Sequence, residues 1–244
     1  MKKTGLILLA AAIILLGASC VSPGREALLY EIKPIALVSV VSNWDINWTG
    51  EDPVNPNLVG APTRRALRAN PDMAILSNAE ELIITAERLF RDTMAVSGGL
   101  ITLADRETVF NSRAYQEAPL NRRRMVRAYV LPDGYRLIDP RDRNFPQALA
   151  AETGIQRSMF VEFNFTKTMR TGFGKNGTCG AELEMRVLIL DSGGRRLYSR
   201  TFSIGSRDTI SVSSGMYSRS GLMSLFESAI NDAALEFLYH LEGI

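Results

Sequence analysis

The apolar positions of this chain fall into three kinds of pattern. Residues 35–41, Ile-Ala-Leu-Val-Ser-Val-Val, are nearly uninterrupted and rich in β-branched side chains, which predicts a central strand buried on both faces. From Ser158 to Thr166 the pattern alternates. Met159, Val161, Phe163 and Phe165 lie on one face, Ser158, Glu162, Asn164 and Thr166 on the other, with Phe160 as the one exception. A second alternation sets Leu183, Met185, Val187 and Ile189 against Glu182, Glu184 and Arg186, and Asp191-Ser192-Gly193-Gly194 turns it into a third strand, Arg196 to Ile204.

Helical spacing is the third pattern. Leu82, Ile83, Ala86, Leu89, Phe90 and Met94 recur on one side of a segment that opens with Ser77 and Glu80 in capping-box spacing and stops at Gly98-Gly99. A short strand, Leu100 to Ala104, follows. Asn144 stands where it can cap a helix from Phe145 to Thr153, ended by Gly154, and Leu222, Phe226, Ala229, Ala233, Phe237 and Leu241 stripe a final helix. Two stretches fit no element: 43–76, which carries four prolines, and 113–144, which is basic and holds a predicted hairpin around Asp133-Gly134. The expected fold is α/β, a single mixed sheet with helices packed on it. Its order is strand-helix-strand-helix-strand-strand-strand-helix, with long insertions at about 43–76 and 113–144.

The first twenty residues stand apart. Lys2-Lys3, an apolar run from Leu6 to Leu16, and Gly17-Ala18-Ser19 before Cys20 have the layout of a secretory signal, too short for the roughly 20 residues that span a bilayer. Cys20 after Gly-Ala-Ser resembles the lipobox of bacterial lipoproteins. Gly17 occupies the position where Leu, Val or Ile is usual, a departure similar to the relaxed lipobox of spirochaetes. The resemblance implies removal of 1–19 and acylation of Cys20 (diacylglycerol, palmitate), with 20–33 as a tether and 34–244 as one α/β domain. Val21 is not a retention aspartate, which by analogy implies the outer membrane, facing the periplasm. An ordinary signal, with Cys20 a bystander, is the alternative.

Charge narrows the partner classes. The formal net charge of +2 is supplied by Lys2 and Lys3, so residues 20–244 are balanced and exert no global pull on nucleic acid. The only other cysteine, Cys179, sits in what reads as a glycine-rich loop, so an acylated Cys20 leaves no intramolecular disulfide. The lone histidine, His240, lies near the end of the last helix, where the helix dipole favours it. One histidine and Cys179 cannot assemble a zinc site. Gly172, Gly174 and Gly177 have GxGxxG spacing, but strands flank them on both sides, so no dinucleotide site and no cofactor is expected.

Within "LAAETGIQRSMFVEFNF" and "LEMRVLILDSGGRRLYSRTFSI", a helix ending in Gly feeds an alternating strand, and two strands join through an Asp-x-x-Gly turn. Ile35–Val41, Leu103-Ala104-Asp105-Arg106 and Leu188–Arg196 take matching places in the element order. Together they resemble the envelope lipoproteins of the curli-secretion (CsgG-like) and penicillin-binding-protein-activator (LpoB-like) group, over about two-thirds of the mature chain. The resemblance implies a non-enzymatic, lipid-anchored protein that binds or scaffolds another envelope component, either a protein or peptidoglycan. Homo-oligomers are among its possibilities. Residues 113–142 carry charges throughout, so the membrane hairpins of the pore-forming members are not expected.

Candidate contact residues are the tryptophans of "NWDINW", Trp44 and Trp48, as a platform for sugar rings or a partner side chain, or else packed beneath the insertion. Arg122, Arg123, Arg124 and Arg127, with Arg64, Arg65 and Arg68, are the basic concentrations, fit for lipid headgroups or an acidic protein surface, or simply solvated. Glu182 and Glu184, about 7 Å apart on strand geometry, with Glu162 on a neighbouring strand, would serve a cell-wall hydrolase, or form a solvated sheet face. That hydrolase and a ring-forming secretion subunit are the rival functions.

Overall fold

Continuous burial of the first apolar run reflects two separate cores, one on each side of the sheet. The computed structural model describes residues 34–49, 73–74, 79–121, 129–173 and 176–243. Its elements are β1 (Ile35–Asn43), β2 (Asn47–Thr49), β3 (Met73–Ala74), α1 (Glu80–Ala95), α2 (Arg106–Phe110), α3 (Arg113–Gln116), β4 (Tyr129–Val130), α4 (Asn144–Thr153), β5 (Arg157–Phe173), β6 (Asn176–Asp191), β7 (Arg196–Gly205), β8 (Ile210–Val212), β9 (Tyr217–Ser218) and α5 (Arg219–Glu242). One mixed sheet runs β4-β1-β5-β6-β7, with β2 added on β5 and β8 on β6, while β3 and β9 form a separate pair. β1 and β2 are parallel to β5; the other pairings are antiparallel. The expected α/β class, a single mixed sheet with packed helices, is what the chain adopts.

Alternation assigns each strand residue to a layer. On one face Leu37, Val40, Met159, Val161, Phe163, Phe165, Leu183, Met185, Val187, Ile189 and Phe202 meet α1 and α5 through Leu82, Phe90, Phe226, Ile230 and Phe237. Phe90 stacks on Phe237 at 6.0 Å, and Phe226 meets Phe165 edge-on at 5.4 Å. On the opposite face Ala36, Val38, Phe160 and Leu190 pack under the short helices α2, α3 and α4 through Val109, Tyr115, Phe145 and Leu149. This second layer covers only one end of the sheet, and β5, β6 and β7 run on past it.

Several boundaries move, each for a local reason. The helix expected from Ser77 begins at Glu80. Its N-cap is Ala79, which offers no side-chain acceptor but donates its N–H to the Trp44 carbonyl at 3.0 Å; Ser77 lies outside the described residues. Leu100–Ala104 is no full strand. It touches β1 only at Leu103 opposite Ile35, with hydrogen bonds from Ile35 N–H and Ala104 N–H on either side. Asn144 is not a cap but the first helical residue of α4, and the Asp142 carboxylate accepts its N–H at 3.0 Å. The 127–139 hairpin does not form as a ladder. Asp133-Gly134 does turn, with Gly134 at φ +80°, but Tyr129–Val130 pairs with β1, and Ile138 bridges to Leu120.

The largest correction concerns 172–179. The expected loop is instead the far end of a 17- and 16-residue hairpin, paired, past one register shift between Met169 and Thr171, as far as Phe173 opposite Asn176. Gly172 and Gly177 face each other across it. Gly172 has φ +109°, and a Cβ there would lie 2.2 Å from the Asn176 carbonyl oxygen. Gly172 and Gly177 are therefore requirements of strand closure, and Gly174, the third glycine of the GxGxxG spacing, lies outside the described residues. Cys179 is likewise in β6, fully buried, and not in a loop.

Candidate functional site

Across the open half of the sheet the side chains form rows. Ser39, Phe160, Leu188 and Ser199 make one row, Val41, Glu162, Arg186 and Thr201 the next, then Asn164, Glu184 and Ser203. Where the first two rows meet the chain segment 137–141 there is a cleft of about 240 Å³, lined by Val41, Phe160 and Leu188 below and by Asn121, Leu137, Asp139 and Arg141 at the side. Its floor is apolar and its rim is charged. Arg186 is exposed and makes no ion pair among the described residues.

The wall of this cleft is held from beneath. Ser39 Oγ donates to the Arg136 carbonyl at 3.1 Å, and Arg136 N–H donates to the Tyr115 hydroxyl at 3.1 Å. Asn121 N–H donates to the Leu137 carbonyl at 2.8 Å, and Asp139 N–H to that of Pro119 at 3.2 Å. Burial pushes the Tyr115 hydroxyl up to about 12, and the Arg136 and Arg106 guanidiniums only partly oppose that. It therefore stays a neutral hydrogen-bonding group at physiological pH.

A buried carboxylate ties this wall to the opposite layer. Glu87 of α1 accepts through Oε1 from Arg91 Nε at 2.6 Å and from the Tyr135 hydroxyl at 2.9 Å, and Arg106 Nη1 stands 3.9 Å away. The Asp105-Arg106 pair noted in the sequence divides two tasks. Asp105 caps α2 by accepting from Thr108 N–H at 2.8 Å, and that bond, with a second from the Thr108 hydroxyl, holds its carboxyl below the usual range. Arg106 lies over the rings of Phe110 at 4.9 Å and Tyr135 at 5.2 Å, and donates to the Asp133 carbonyl.

Trp44 and Trp48 lie at the margin of the main core. Both are half-buried against the main core. Asn43 sets their position: its side chain donates to the Phe165 carbonyl at 3.0 Å and accepts from Phe165 N–H at 2.8 Å, bridging the gap where β1 leaves β5 and β2 rejoins it. Trp48 then sits opposite Lys167, which is 3 % exposed. The Lys167 ammonium lies 5.3 Å from the Trp48 ring and 3.4 Å from the Tyr217 hydroxyl, and Trp48 meets Tyr217 edge-on at 6.1 Å.

The other candidates separate. Glu182 is engaged, with Arg170 Nη2 at 3.7 Å and the Thr49 hydroxyl at 3.4 Å, while Glu184 is exposed beside it on the open face. His240 Nδ1 pairs with the Tyr198 hydroxyl at 3.2 Å, as a packed residue at the C-terminal end of α5. Cys20 and the arginines at 64, 65, 68, 122, 123, 124 and 127 lie outside the described residues, although Arg122 follows Asn121 of the cleft directly in the chain. Sequence reasoning missed Arg186, Arg141 and the floor residues Val41 and Leu188. It did have a signal for the floor: Phe160, the apolar residue on a polar face. Among the described residues there is no group of three or more metal-ligating side chains, and no helix is long and apolar enough to cross a membrane.

Fold and site together define an α/β domain with a half-open sheet and a small charged-rim cleft. No family model matches the chain, and no curated protein matches it. Among solved structures, the chain is similar to the LpoB C-terminal domain from Salmonella enterica over 75 % of its own length and 93 % of that chain, at 14 % identity and a TM-score of 0.25.

Proposed function

We propose that this is a lipid-anchored, non-enzymatic envelope protein that uses the open half of its sheet to dock another envelope component, with Cys20 as the acylated residue. The cleft is the observation that carries the reading. At about 240 Å³ it is smaller than the roughly 300–1,000 Å³ typical of small-molecule sites, so it suits one or two side chains of a larger partner. An apolar floor with a guanidinium at its edge is the make-up of an interface anchor point. The proposal places the protein on the outer membrane facing the periplasm, and adds Arg122, Arg123, Arg124 and Arg127 to the docking surface, since they continue the chain from Asn121.

The test is crosslinking in intact envelopes from a photoreactive residue at Glu184, beside the cleft. Recovery of one defined protein or of peptidoglycan, lost on Arg186→Glu with Phe160→Ser, is the expected result. Recovery of lipid alone would overturn the docking reading. Acyl-label incorporation that persists in Cys20→Ala would overturn the anchor.

A further inference from the structure

Among the described residues, the outer edge of β7 is the longest unpaired feature of the sheet. Its inner edge pairs with β6 from Gly205 opposite Glu182 to Arg196 opposite Leu190, and its outer edge carries no strand among the described residues. Exposed edges of this length are normally blunted by proline, by a central bulge, or by a charge turned into the pairing zone. β7 has no proline, and its one irregularity lies at the Arg196 end, opposite the Ile189/Leu190 step, so 198–205 is regular. Arg200 does not block the edge either. Its guanidinium lies over the Phe202 ring at 5.6 Å, along the strand.

Among the registers centred on the middle of this edge, one is the most self-complementary. Two antiparallel copies related by a two-fold axis must place opposite each other residues of the same sheet face, so the axis passes through a residue and not between two. Through Arg200 it would set two arginines face to face, and through Phe202 it would set each Arg200 against an aliphatic Ile204, both less favourable pairings. Through Thr201 it pairs Thr201 with itself, Ser199 with Ser203, Arg200 with Phe202 and Tyr198 with Ile204. Hydroxyls then meet hydroxyls on the open face. On the other face each Arg200 meets the partner copy's aromatic ring, the same kind of contact it already makes within its own strand.

We propose that β7 is a homodimer site, at which a second copy of this chain adds antiparallel to the sheet with Thr201 on the two-fold axis. The two sheets become continuous, and their two open faces and clefts form one surface. This inference does not depend on the lipid anchor or on what the cleft binds.

The register can be tested by crosslinking full-length chains in the envelope with a short thiol-to-thiol reagent, taking the wild type as the baseline for Cys20 and Cys179. Thr201→Cys should give a crosslinked dimer and Ser203→Cys alone should not, whereas Ser199→Cys and Ser203→Cys expressed together should give the mixed dimer. In detergent solution the wild type should sediment as a dimer and Thr201→Lys, which changes an exposed residue, as a monomer with an unchanged melting temperature. A wild type that is monomeric at every concentration, a Thr201→Lys chain that stays dimeric, crosslinking at 203 equal to that at 201, or Thr201→Cys capture of a different protein would each overturn the proposal.

Discussion

Replacing Glu87 asks whether the cleft wall is held from the far side of the sheet. One buried oxygen, in a residue 7 % exposed, accepts from Arg91 Nε at 2.6 Å and from the Tyr135 hydroxyl at 2.9 Å. Hydrogen bonds to a charged group are worth about 1.5–3 kcal/mol each, and removing one partner of a buried pair costs about 3–5 kcal/mol. Glu87→Ala should therefore lose about 3–5 kcal/mol. Glu87→Gln, which keeps a neutral acceptor, should lose about 2 kcal/mol by the same per-bond scale. Tyr135→Phe removes one of the two donors, so its effect should be smaller in Glu87→Gln than in the wild type by about 1 kcal/mol. Urea unfolding followed by tryptophan fluorescence gives these differences. Amide hydrogen exchange locates them: protection should fall first at Asn121, Tyr135 and Asp139, whose N–H groups bond within the wall, before the β5–β6 ladder is affected. A Glu87→Gln chain within 0.5 kcal/mol of the wild type, with unchanged exchange at those amides, would refute the reasoning.

Three further outcomes follow from particular contacts. Burial pushes the Cys179 thiol up to about 11 against the opposing pull of Lys167, so iodoacetamide at pH 8 should modify it only after denaturant unfolds the chain, as mass spectrometry will show. Glu152 accepts the N–H groups of Ala114 and Arg113, both at 2.8 Å, which hold its carboxyl below the ordinary 4.5. A folded value depressed below the unfolded one contributes stability above about pH 4.5 that is lost as pH falls through the lower folded value. The difference between wild type and Glu152→Gln in pH-dependent melting should shrink across that window. Gly172→Ala forces a positive φ on a residue with a Cβ and brings that Cβ onto the Asn176 carbonyl. Exchange should quicken at Thr171 and Thr178, whereas the Phe163–Met185 region keeps its protection.

The sheet was legible because its strands obey simple periods: a two-core strand reads as a continuous apolar run, and one-core strands alternate. The helical stripes of α1 and α5 were legible for the same reason. Boundaries were not, because caps are made by tertiary neighbours that no local pattern shows. Ala79 has no side chain to cap with and is fixed by its own N–H bond to the Trp44 carbonyl, and Glu152 satisfies the first N–H groups of α3 from another helix. Glycine misled the reading between 172 and 179. A cluster of glycines signals a loop when each supplies a turn, but Gly172 and Gly177 lie in a ladder where two backbones approach too closely for a Cβ.

The cleft was half legible, and the legible half was an irregularity. Phe160 breaks the alternation of its strand because the second core covers that end of the sheet. One residue pair further along β5 the cover ends, and Glu162 opposite Arg186 returns the face to charge. A break in period thus marks the boundary between covered and open sheet, and a boundary of that kind is where an apolar floor meets a charged rim. The rim itself could not be read, because Arg141 and Arg186 are far apart in sequence and are brought to one cleft only where residues 137–141 pass the sheet. The tryptophans pack against the main core for the complementary reason. Their spacing does place them on one side, but that side faces the main core, where Trp48 covers a lysine that the strand period alone would have turned inward.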